Sequence, residues 1–141
     1  MATGEKYHKY KETLAESGNA GSDAWRLILS STAPDLATDT TAASASELAT
    51  GGGYTAGGVP CTVVSAEVAA GIYRLKLTAP ESPTWTASDV GFAFRYVILY
   101  NLTHSQCAIV WDYGSPVNMS GVNGDTFTPA FDTTNGAFTI S

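Results

Sequence analysis

Between Gly91 and Asp112 the alternation of polar and apolar positions gives way to near-continuous apolarity. Gly91-Phe-Ala-Phe-Arg-Tyr-Val-Ile-Leu-Tyr100 carries one charge, Arg95. As a strand, it puts Phe92, Phe94, Tyr96, Ile98 and Tyr100 on one face and Ala93, Val97 and Leu99 on the other. A strand apolar on both faces is covered on both. Asn101–His104 is a short polar link. The chain returns through Ser105–Asp112, with Cys107, Ile109 and Trp111 sharing a face. The pattern predicts a hairpin at the middle of the core.

The flanking segments read as cover for that hairpin. Tyr7, Tyr10 and Leu14 follow helical spacing within Lys6–Ser17, which predicts an amphipathic helix stopped by Gly18-Asn-Ala-Gly21. Such a helix either caps an open end of its own domain or reaches a neighbouring subunit. Ala24–Ser31 is a strand with Trp25, Leu27 and Leu29 together. Val59–Ala66 and Gly71–Ala79 form a strand pair, with Tyr73, Leu75 and Leu77 on the covered side and Ile72, Arg74, Lys76 and Thr78 on the wet side. Pro80–Trp85 is an extended link, Tyr113–Pro116 breaks the ladder, and Val117–Met119 is an edge piece. Asp125–Phe131 and Ala137–Ser141 are the last strands, joined by an Asn135-Gly136 hairpin signal. Seven or eight short strands at this spacing predict an all-β fold. The expected architecture is an antiparallel β-sandwich, with the jelly roll as a candidate topology and a short N-terminal helix. Residues 1–20 read as helix or arm and 21–141 as the sandwich domain, with a long Gly-rich loop at 32–58.

That loop invites a functional reading, because long connections in compact domains are usually functional or packed. Ser44-Ala-Ser-Glu47 before Leu48 resembles a capping box on one helical turn. Gly51-Gly-Gly-Tyr-Thr-Ala-Gly-Gly58 is followed by Val-Pro-Cys rather than Lys-Ser/Thr and a helix, and no Lys or Arg lies between Ser30 and Tyr73. Phosphate binding is therefore disfavoured. The glycines instead supply positive φ angles and close backbone approach, and Tyr54 is an anchor.

The chain has 141 residues, enough for one domain with a sufficient core, and a net charge of −6. No basic cluster suggests nucleic acid, and no run suggests a signal peptide or membrane span. Cys61 and Cys107 sit in apolar runs and read as reduced, buried thiols; a disulfide across the sandwich is the alternative. The histidines are His8 and His104, in the helix and in a turn, and both read as surface residues. No nucleophile–base pair, metal-ligand spacing or glycosidase carboxylate pair emerges, so no catalytic, cofactor or metal residue is nominated. Hairpin pairing can bring Arg95 near Asp112, and a part-buried structural ion pair is the favoured reading, with Asp89 the second choice of partner; the alternative is that Arg95 snorkels to a sheet edge.

Taken together, several pieces form a familiar set: Lys6-Tyr7 with Tyr10, Trp25–Ser31, Glu47-Leu48, Gly53–Gly58, Thr84–Ser88, Arg95–Asn101, Asp112–Gly114 and Asn135–Phe138. The set resembles a group of small structural proteins encoded in tailed-bacteriophage genomes, and the resemblance spans nearly the whole chain. It implies a non-enzymatic virion component assembled in the host bacterial cytoplasm. Size, acidity and expected fold are similar to capsid decoration (cement) proteins, which sit on the head shell as oligomers, often trimers, with the major capsid protein as partner. A minor tail, tail-tip or fibre-associated protein is the rival placement, and a carbohydrate-binding β-sandwich the reading from another class. No cofactor, nucleic acid or membrane is implied. A passive clamp needs aromatic anchors at its surface, and Tyr7, Tyr10, Tyr54, Trp85 and Tyr113, on loops or the end helix, are the interface candidates.

Overall fold

The computed structural model describes residues 4–17, 19–78, 84–132, 134 and 136–140. Along these residues run β1 (Glu5–Lys6), α1 (His8–Glu16), β2 (Trp25–Ser30), β3 (Val59–Ala69), β4 (Ile72–Thr78), β5 (Trp85–Thr86), β6 (Phe92–Asn101), β7 (Gln106–Met119), β8 (Thr126–Phe127) and β9 (Phe138–Ile140). The fold is all-β and antiparallel with one short helix among the described residues. A seven-stranded sheet has the order β1-β7-β6-β2-β3-β4-β9, and β5 and β8 form a separate ribbon.

The β6–β7 hairpin is central, as its apolarity demands. Val97 pairs Trp111 and Ile98 pairs Val110, while β2 flanks the other side with Leu27 opposite Leu99 and Ile28 opposite Ile98. β3 turns a corner: Val59–Cys61 pair with β2, then Thr62–Ala69 pair with β4. The sheet curls so far that its edges meet, and Lys6 Nζ on β1 donates to the Thr139 carbonyl on β9 at 2.7 Å. The layers expected of a sandwich are thus largely parts of one curled sheet; the strand order does not establish a jelly roll.

Residues 32–58 supply the second cover that β2 and β6 require. Ser30 Oγ lies within hydrogen-bond reach of the Ala45 and Ser46 carbonyls, at 3.0 and 2.8 Å, and Ala45 is buried in the core cluster. The segment also completes the edge of β2 where β3 has left it. Leu48 N–H donates to the Leu29 carbonyl, Leu29 N–H donates to the Tyr54 hydroxyl, and Ser30 bridges Glu47. The N-terminal segment does not stand apart either: Glu5 and Lys6 pair with β7, and Tyr7 and Tyr10 are buried.

Five expectations are corrected. Tyr113–Pro116 does not end β7; these four residues bulge opposite Arg95, and pairing resumes from Phe94↔Val117 to Phe92↔Met119. Val117–Met119 is therefore the far end of the central hairpin and not an edge piece. No helical turn forms at 44–47: Ser44 Oγ accepts from Thr40 and Thr41 N–H, while the Glu47 carboxylate points elsewhere. The strand expected over 125–131 shortens to Thr126–Phe127, because its partner β5 is two residues long. β9 pairs with β4, so β8 and β9 make no hairpin; Asn135, Pro80–Pro83 and Ser141 lie outside the described residues.

Candidate functional site

Two arrangements built by loops stand out, one inside the fold and one at its surface. The first is a knot around Glu47. Its carboxylate accepts from the Tyr54 hydroxyl at 2.7 Å and from the Gly57 N–H. Arg26 fixes the same loop from β2, donating through Nε to the Gly57 carbonyl and through Nη2 to the Gly58 carbonyl at 2.7 Å. Gly58 is obligatory here: at φ +66°, a Cβ would lie 1.8 Å from the Leu27 carbonyl oxygen. Burial holds the Tyr54 hydroxyl well above the usual phenol range. Its ring packs against Trp85 and Phe92, from which an aromatic run continues through Phe94, Phe127 and Tyr113.

The second arrangement is the tip of the molecule at the Phe92 end of β6. Three loops, around 51–54, 86–91 and 119–125, are pressed backbone to backbone. A Cβ on Gly52 would meet the Gly91 carbonyl at 1.9 Å, one on Gly91 the Met119 carbonyl at 2.0 Å, and one on Gly121 the Asp89 carbonyl at 2.4 Å. Hydrogen bonds join the same loops, Ser88 N–H to the Gly52 carbonyl at 2.9 Å and Ala87 N–H to the Asp125 carbonyl at 2.8 Å, while Ser120 N–H to the Asp125 carboxylate at 2.8 Å holds the third loop together. From the two touching turns project Val90 and Val122, each 92 % exposed. After Lys76 the chain has one basic side chain, Arg95, against five carboxylates, and Asp89 and Asp125 are the charges of the tip.

At the other end of β6, about 30 Å away for a ten-residue strand, a polar cluster ties down the helix. Buried Asn101 donates to the Tyr10 hydroxyl at 3.1 Å and to the Asp23 carboxylate at 2.8 Å, and it accepts from His104 N–H. His104 Nε2 sits 3.4 Å from the same carboxylate. Tyr10 meets Trp25 edge to face. This end of the fold is closed by α1.

Of the five aromatic interface candidates, Tyr7, Tyr10, Tyr54 and Trp85 are buried in the chain's own core, and Tyr113 is 37 % exposed. Spacing shows that such rings are needed but not which side of a loop they turn to. Arg95 and Asp112 do pair, by two parallel bonds of 2.7 and 2.9 Å. The pair is exposed rather than part-buried, because the 113–116 bulge carries Asp112 to the surface with Arg95. The guanidinium, followed by the Gly114 N–H, holds the Asp112 carboxyl below its ordinary range. Cys61 and Cys107 are both free, and burial pushes each thiol up to about 12. Among the described residues no cluster of His, Cys, Asp and Glu is placed to hold a metal ion. Sequence reasoning missed Val90 and Val122; the available signal was a β-branched residue inside two turn motifs, Asp89-Val-Gly91 and Gly121-Val-Asn-Gly124.

Compared with family models, curated proteins and solved structures, the chain matches none.

Proposed function

We propose that the chain is a non-enzymatic structural protein of a tailed-phage particle, a capsid decoration protein seated on the head shell. Its partner is the major capsid protein, and its working form is a homo-oligomer, a trimer in the favoured arrangement. One observation supports this reading most. The motif pieces that carry the resemblance lie far apart in sequence, yet several of them are contact partners. Arg26 and Glu47 hold Gly57 and Gly58, Tyr54 packs on Trp85, a Cβ on Gly53 would meet the Thr86 carbonyl, and Arg95 pairs with Asp112. Within this chain the set forms a group of joints in one scaffold, which suits a load-sharing shell protein.

The test is to purify the particle whose genome encodes the chain and locate the chain by electron cryo-microscopy. Regular density on the shell lattice that fits this fold supports the proposal. Density confined to the tail or a fibre moves the protein to that structure, and absence from the purified particle overturns the proposal.

A further inference from the structure

We propose that the tip formed by turns 88–91 and 120–125 is the docking surface, and that its occupant is an apolar cleft with a basic rim on the shell protein. This rests on the decoration reading and specifies which part of the molecule meets the shell.

Isolated surface valines are ordinary. Here two of them, both 92 % exposed, stand on turns that touch each other. β-branched side chains are poor turn formers, so no local preference places them there. Their backbone is also held by close approaches between neighbouring loops, Gly52 to Gly91, Gly91 to Met119 and Gly121 to Asp89. A patch held this way loses little conformational freedom on binding, which is where preorganised contacts gain affinity.

Charge selects the occupant. Asp89 and Asp125 lie on the same two turns, and Arg95, the one basic side chain after Lys76, is bound to Asp112. Two such tips facing each other would bring like charges together, so a second copy fits poorly. A cleft that admits both valines and presents Lys or Arg at its rim satisfies both features. The contact is small, so each tip binds weakly, and an oligomer engaging several clefts multiplies the effect.

The experiment adds purified protein to particles assembled without it and measures occupancy against protein concentration. The variants are wild type, Val90→Ser with Val122→Ser, Val90→Ser alone, and Val64→Ser with Val68→Ser as an exposed control elsewhere on the surface. Loss of four methyl groups should weaken binding on the order of a hundredfold in the tip double variant, with a smaller loss in the single variant. The control should bind as wild type, and binding should weaken as salt rises. All the altered side chains are exposed, and circular dichroism checks that each variant is folded. Wild-type binding with an unaffected tip variant overturns this inference and leaves the decoration reading standing. Failure of wild type to bind any particle overturns both. Loss of self-association in the tip variant would make a second copy the occupant and overturn the inference.

Discussion

Replacing Tyr54 with Phe removes one oxygen atom and keeps the ring that packs on Trp85 and Phe92. That oxygen donates to Glu47 at 2.7 Å and accepts from the Leu29 N–H at 3.2 Å. The first bond reaches a carboxylate, and its loss costs about 1.5 kcal/mol, the low end for a charged partner that is not fully buried. The second leaves a buried strand N–H without an acceptor, at about 1–2 kcal/mol. The expected total is about 3 kcal/mol, a large share of a typical domain's stability of about 5–15 kcal/mol and roughly 10 °C in melting temperature for a chain of this size. Tyr7→Phe is the matched control: its hydroxyl is buried and has no hydrogen-bond partner among the described residues. Its removal should be neutral or stabilise by up to about 1 kcal/mol. Urea and thermal denaturation of the two variants beside wild type measure both values. A Tyr54→Phe protein within about 0.5 kcal/mol of wild type, or a Tyr7→Phe protein as unstable as Tyr54→Phe, would refute this account of the loop.

Gly91→Ala should cost more than about 3 kcal/mol, because its Cβ collides with the Met119 carbonyl at φ +70°; Gly114→Ala, with open space around it at φ +83°, should cost only about 1 kcal/mol, and calorimetry compares them. Alkali should unfold the protein: Tyr7, Tyr10 and Tyr54 are raised by burial, and both thiols to about 12. Their protonated forms are favoured by the fold, so this stability is intact below pH 9. It falls from pH 9 as the unfolded chain's thiols ionise and faster from pH 10 as its tyrosines do, by about 1.4 kcal/mol per pH unit for each group. Tyrosinate absorbance from Tyr7, Tyr10 and Tyr54 should therefore appear only with loss of the fold, and ionisation of these three in folded protein would be the contrary result. Arg95→Ala should leave the melting temperature close to wild type at both low and high salt, since the ion pair is exposed; a large loss would mean that the pair supports the bulge.

The central hairpin was legible because ten nearly unbroken apolar positions admit few other structures; its register was not, since Asp112 lies opposite Tyr96 and reaches Arg95 only diagonally, across the start of the bulge. The wet and covered faces of β4 were legible from simple alternation. The extension of β7 was hidden because Gly114 and Pro116 are honest breaker signals: pairing does stop at 113–116, and only Val117–Met119 meeting Phe92–Phe94 shows that it resumes. Glu47 was assigned to the nearest turn because local spacing reveals only local acceptors; Tyr54 and Gly57, which it binds, lie seven and ten residues on. The aromatic candidates were chosen for being on loops, but this chain folds its longest loop inward as a substitute strand beside β2. The surface pair, Val90 and Val122, gave no periodic signal at all, because exposure at a turn tip depends on what packs against the turn.

Preorganisation of the tip and of the Glu47 loop is the claim on which the rest stands, and native-state hydrogen exchange tests it most directly. The amides of Ala87, Ser88, Gly91 and Asp125, with Gly57 in the knot, should exchange at least about a hundredfold more slowly than in a free peptide, an opening cost of about 2.7 kcal/mol. Exchange of these amides at free-peptide rates, while β6 and β7 remain protected, would contradict it.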